Sequence, residues 1–100
     1  MASGTTRKPV QFKAISKAIP SHQINGNDYF EWSGTWAIDV HEDGWEPIAF
    51  TRVYTNRSNA VIAGFNLSRD TEKVTLLIKN VSASAIQVDS GNVTILYAKY

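Results

Sequence analysis

A two-residue rhythm constrains this chain more than anything else in it. Val74, Leu76 and Ile78 stand apolar against Thr75 and Lys79, the alternation of a strand with one face turned to a core. No window repeats apolar residues at the three-and-four spacing of an amphipathic helix. β-branched and aromatic residues come instead in short runs, broken by Gly, Asn, Asp, Ser and Pro. Without crossover helices, parallel βαβ folds are excluded. The pattern predicts an all-β chain, a single antiparallel β-sandwich or jelly-roll-like domain.

The expected strands follow from the runs. Residues 10–19 open the domain, with Val10, Phe12 and Ala14 alternating against Gln11 and Lys13. Pro20 ends that run or marks an edge. His22 falls in a turn, and Asn25-Gly26 is a tight turn whose residues tolerate positive φ. Residues 29–32, 36–40, 48–54 and 60–67 are the next strands, then the run at Val74 to Lys79, then 86–88 and 93–97. Between the last two, "DSGN" is either a hairpin turn or a bulge in one long strand. In "GWEPIAF", Gly44 frees the chain from an acidic loop, Pro47 suits a strand's start, and Ile48 and Phe50 begin a central strand. Residues 1–9 read as a flexible lead and 10–100 as one domain, the size that 100 residues supports.

Two runs are apolar on both faces. Val93, Ile95 and Tyr97 oppose Leu96 and Ala98; Ala60, Ile62 and Gly64 oppose Val61, Ala63, Phe65 and Leu67. A sheet with one wet face alternates more sharply. The expectation is a partner over the second face, a homo-oligomer; central strands under long loops are the alternative.

Composition removes several functions. The chain has no cysteine, so disulfides, thiol catalysis and thiolate metal sites are out. That favours assembly in the cytoplasm, or stabilisation by oligomerisation. Ten basic against nine acidic residues is too balanced for an electrostatic nucleic-acid binder. No apolar run reaches the roughly 18 residues of a membrane span, and the first ten residues hold no signal-peptide core. Neither nucleic acid nor membrane insertion is expected.

Asp39, His41 and Asp43, spaced by two, would share one face of a strand and could hold a divalent metal; a solvated acidic loop is the plainer alternative, and no metal or other cofactor is assigned. No catalytic motif occurs, and the chain is not expected to be an enzyme, with a small hydrolase as a remote option. Four Asn-x-Ser/Thr triplets, at Asn56, Asn66, Asn80 and Asn92, read as chance in a chain rich in those residues. Tyr29, Phe30, Trp32, Trp36 and Trp45 crowd into seventeen positions. Such rings stack on sugars or fill cores. Trp32, Trp36 and Trp45, with Asn56, Arg57, Asn59 and Arg69 from polar loops, are the candidate ligand contacts, because Trp supplies a stacking plane and Asn and Arg directional hydrogen bonds. For Trp45 a packed anchor comes first and a ligand contact second.

The second half of the chain carries a family likeness. "GWEPIAF" at 44–50, then "TNRSNAVIAGFNLS", "VTLLIKNVSASA" and a closing "VTILYAKY" resemble, in that order, the C-terminal β domain of tail-fibre, baseplate and minor structural proteins in phages and prophages of Gram-positive bacteria. "ISKAIPSHQINGNDYFEWSGT" is similar to that family's opening strand and its "SGT" strand end, so the likeness covers about residues 10–100. The resemblance implies a compact β-sandwich, often trimeric, at the distal end of a tail device assembled in the bacterial cytoplasm. Its partners would be other tail or baseplate proteins, with host cell-wall saccharide in some relatives and a purely structural role in others. No site residue is carried over. Such domains usually close a long polypeptide, whereas about nine residues precede the first strand here; the expectation is a separately encoded small tail protein or a terminal fragment. A monomeric carbohydrate-binding module and a ligand-free trimeric cap are the rival expectations.

Overall fold

The computed structural model describes residues 10–100; the expected lead, 1–9, lies outside them. The described chain is mostly antiparallel β. Its strands are β1 (Gln11–Ala18), β2 (His22–Ile24), β3 (Tyr29–Trp32), β4 (Ile38–Asp39), β5 (Glu46–Thr55), β6 (Ala60–Ser68), β7 (Lys73–Asn80), β8 (Ile86–Val88) and β9 (Gly91–Lys99). One sheet runs β1-β9-β5, and a short pair joins β2 to β8. In the third group β7 is central, with β6 on one side and β3 followed by β4 on the other.

The two central strands supply the core. Val74, Leu76 and Ile78 of β7 and Val93, Ile95 and Tyr97 of β9 are all buried, as the alternation of β7 requires. Ile19, Ile24, Trp32, Ile38, Val40 and Val88 join them in one cluster. Three expectations about phase are corrected by the register. On β1, residues 13, 15 and 17 oppose Tyr97, Ile95 and Val93, so Lys13, Ile15 and Lys17 share the core side while Phe12 is 62 % exposed. Charged residues pointing inward are a device of edge strands, and both lysines reach Glu42. On β5, which is an edge strand rather than a central one, register shifts fall between Pro47 and Ala49 and between Phe50 and Arg52. Each bulge inserts one residue, so Pro47, Phe50 and Val53 oppose Tyr97, Ile95 and Val93. On β6 a shift between Ile62 and Gly64 puts Ile62 opposite Ile78 and Leu67 opposite Val74. Phe65 and Leu67 thereby move to the side of Ile62, opposite Leu76 and Val74, while Val61 stays on the other face, 45 % exposed. β9 keeps apolar residues on both sides, with Ala98 almost wholly buried away from Tyr97.

Residues 36–40 are not one strand. Gly34–Trp36 form a 3₁₀ turn and only Ile38–Asp39 pair with β7. Nor is "DSGN" a hairpin or a bulge. Ala18 faces Asn92 and His22 faces Val88, so the register carries through unchanged. β1–β2 and β8–β9 make one long antiparallel ribbon, interrupted at Pro20 and Ser90. His22, expected in a turn, lies on that ribbon. Trp32 Nε1 donates 2.8 Å to Pro20 O and fixes the interruption from the other group of strands.

At the far end of β7, Asn80 is fully buried. Its Nδ2 donates to the carbonyls of Ile24, Asn25 and Ser84, and its Oδ1 accepts from Ser82 N–H and Oγ–H. Gly26 packs beside this knot for want of room, not for its φ: a Cβ there would lie 2.1 Å from Ala83 O. The positive φ of that turn belongs to Asn27.

Candidate functional site

The structure scatters the seven candidate contacts. Trp32 has no exposure and cannot touch a ligand; its indole is committed to the core and to Pro20. Trp36 is 38 % exposed at the 3₁₀ turn. There His22 stacks on Phe30 with ring centroids 3.6 Å apart, and Trp36 meets the imidazole edge-on at 4.8 Å. Asn56, Arg57 and Asn59 occupy the turn between β5 and β6. Arg57 donates through Nε to Gln87 O at 3.0 Å and through Nη2 to Asp89 Oδ2 at 3.1 Å. Asn56 N–H and Asn59 C=O bond Ser90 O and Val81 N–H. These groups fasten the turn to the β8–β9 ribbon and, through Val81, to the end of β7. They lie at the end of β5 away from Trp45, on the order of 30 Å along a ten-residue strand.

Trp45 sits in different company. The acidic loop leaves β4 and returns into β5 through Gly44, whose φ of +78° suits glycine, and Trp45 N–H closes the turn on Glu42 O. Lys13 Nζ lies 4.3 Å and Lys99 Nζ 5.7 Å from the centroid of the indole, near enough for cation–π attraction. Beside the ring is an open concavity of about 340 Å³, walled by His41, Glu42, Gly44, Glu46 and Tyr100 and including Ala98. Tyr100 is 71 % exposed. Arg69, from the turn between β6 and β7, reaches Glu46 at 3.9 Å, so of the seven candidates Trp45 and Arg69 come to one end of the molecule.

The charges there are ordered. Lys17 donates to Glu42 Oε2 at 2.7 Å, with Lys13 3.6 Å from Oε1, and the Lys17 hydrogen bond holds the Glu42 carboxyl below its usual range. His41 lies between Glu72 Oε1 at 2.6 Å and Asp43 Oδ1 at 2.8 Å. These hydrogen bonds, Glu72's first, raise its pKa above the ordinary imidazole value. Tyr97 donates 2.6 Å to Val40 O. Burial, with Glu42, Glu72 and Asp39 adding to it, pushes its phenol up to about 12. The candidate metal set does not form. Asp39 Oδ1 accepts His41 N–H, both ring nitrogens face carboxylates, and no cluster among the described residues is built to hold a cation.

The site thus offers an aromatic plane, carboxylate acceptors, cationic donors and a phenol around one shallow hollow. That is the chemistry that recognises polyhydroxylated rings. Sequence reasoning reached Trp45 and Arg69. It missed Lys13, Lys99 and Tyr100, whose position follows from the pairing of β1 with β9. No family model, no curated protein and no solved structure matches the chain.

Proposed function

We propose that this chain is a structural or receptor-binding domain of a phage or prophage tail tip. It folds as an antiparallel sandwich and assembles as a trimer with other tail or baseplate proteins. It contacts host cell-surface saccharide through the hollow beside Trp45 and needs no cofactor or catalysis. The order of "GWEPIAF", "TNRSNAVIAGFNLS", "VTLLIKNVSASA" and "VTILYAKY" supports the tail assignment. The observation that carries the binding role is the half-buried Trp45 beside Glu46 and exposed Tyr100. Exposed Phe12, Val61 and Phe65 leave apolar surface that an assembly would cover.

Binding of labelled protein to walls of candidate Gram-positive hosts, competed with wall saccharides, tests this. Trp45→Ala, checked for folding by its melting curve, is expected to lose at least about tenfold in binding, the loss of one stacking ring. Parental binding by that variant would remove the hollow as the site. A monomeric carbohydrate-binding module is the second reading, favoured by one finding: β7 and β9 bury their apolar residues in a core completed within a single chain. Light scattering separates the two, since a monomer at micromolar concentration excludes the trimer.

A further inference from the structure

His41 joins two segments through one ring. Its Nδ1 lies 2.6 Å from Glu72 Oε1, in the turn between β6 and β7, and its Nε2 lies 2.8 Å from Asp43 Oδ1, in its own loop. Ionised carboxylates only accept, so both contacts are hydrogen bonds only when both ring nitrogens carry hydrogen. A neutral imidazole has one N–H and must present a lone pair to one of the carboxylates. We propose that His41 is a proton-operated latch: charged, it ties the 40–45 loop to the β6–β7 turn, and neutral, it lets go of Asp43 and loosens the loop that carries Trp45.

Asp43 is the arm that yields. Its side chain is fully exposed, whereas that of Glu72 is 25 % exposed, and Glu72 is also held through its carbonyl by Val40 N–H at 3.0 Å. Water replaces the Asp43 partner with little cost. The surroundings favour the charged ring. From β4, Asp39 accepts His41 N–H, and within the loop Glu42 lies next in sequence. From β5 comes Glu46, and from β9 the Tyr97 phenol on Val40 O. Of the nearby cations, Lys13 and Lys17 of β1 are engaged with Glu42, Arg69 is near Glu46, and Lys73 of β7 is paired in register with Asp39. The raised pKa of His41 agrees with this balance.

A second observation is independent of the ring. Glu72 has φ +56°, a left-handed conformation that glycine or asparagine adopts with less strain. Neither of those residues carries a carboxylate to reach His41. Strain held at such a position points to a role for the side chain. Because His41, Gly44 and Trp45 all border the same hollow, the latch sets one of its walls. Only that last link rests on the proposed binding role.

Nuclear magnetic resonance of the whole chain tests the latch through two signals, the His41 ring protons and the exchange of Trp45 N–H, which is bonded to Glu42 O. The ring is expected to titrate above the roughly 6.5 of a free imidazole. Protection of the Trp45 amide, corrected for base-catalysed exchange, is expected to fall about threefold or more through the same midpoint. Asp43→Ala, at a fully exposed side chain, is expected to lower the midpoint and to leave Trp45 as weakly protected in acid as the parent is in alkali. Protection that stays flat across the parent's midpoint, or a pH profile that the variant does not change, overturns the proposal. Saccharide binding measured on the same samples keeps the two ideas apart. Flat protection with intact binding removes the latch alone. A pH-dependent Trp45 amide without binding supports the latch and removes the binding role.

Discussion

Asn80 carries more of the fold than its place in an Asn-Val-Ser triplet would suggest. A fully buried amide with five hydrogen-bond contacts ties the end of β7 to the turn at Asn25 and to the segment at Ser82–Ser84. Removing it leaves several buried backbone groups without partners, each costing about 1–3 kcal/mol. Asn80→Ala is expected to lose about 2–4 kcal/mol in urea unfolding, at the upper end for single substitutions. A loss under about 1 kcal/mol would mean that water takes over the amide's contacts. Its burial also leaves no room for a glycan, which agrees with reading that triplet as chance. In the sequence Asn80 is one more polar residue at a strand end. Its partners lie 55 and 56 residues away at Asn25 and Ile24, and no local pattern announces a contact at that separation. Trp45 was legible as an aromatic at a loop–sheet join; that two lysines would flank it was not, because one comes from each end of the domain.

Strands were easier to find in this sequence than faces. β5, β6 and β7 stand within a residue or two of their expected spans because β-branched density marks them directly. Their faces were misread wherever a bulge intervenes, since one inserted residue inverts the alternation beyond it. Pro47, Phe50 and Val53 recur every third residue and all turn to the core side, a spacing that alternation alone assigns to both faces. The bulge in β6 makes a sharp prediction. Ala63 is the residue passed over between Ile62↔Ile78 and Gly64↔Leu77, so deleting it keeps Ile62 and Leu67 on the core side. That deletion is expected to fold, with a melting temperature within several degrees of the parent. Deleting Asn66 instead turns the following Leu67 away from Val74 and is expected to cost about 2–4 kcal/mol, as for a large aliphatic lost from a core. Equal melting temperatures for the two deletions would show that β6 slips freely. The turn at Gly26 is less forgiving. A methyl carbon added there would stand 2.1 and 2.5 Å from the carbonyl atoms of Ala83. Backbone must then move, and Gly26→Ala is expected to cost more than about 2 kcal/mol by chemical denaturation.

Across the whole molecule, three titrations define where the protein is most stable. Glu42 titrates below its ordinary 4.5 when folded, so its contribution is present above that value and is lost as pH falls through the lowered one. His41 titrates above its ordinary 6.5; its contribution is complete below 6.5 and is lost as pH rises through the raised value. Tyr97 titrates at about 12 rather than 10, so stability declines again as pH climbs from 10 towards 12. The melting temperature is expected to plateau between about pH 4.5 and 6.5, to step down above the plateau, and to fall again in alkali. His41→Asn should erase the middle step and Tyr97→Phe should blunt the last one; a single smooth profile in all three proteins would contradict both assignments. The first two steps are small, because His41 and Glu42 are at the surface, where screening weakens such pairs. The long ribbon of β1–β2 against β8–β9 has a consequence for how the protein is made. The central strand β9 follows both of its neighbours, β1 and β5, in the chain, and pairs Lys99 with Gln11. During synthesis β1 and β5 must wait unpaired until β9 emerges, and closing that distance makes folding slow. A nascent chain stalled before Gly91 would expose two strands with no central partner. In the cell, that interval is where chaperones or aggregation would compete for it.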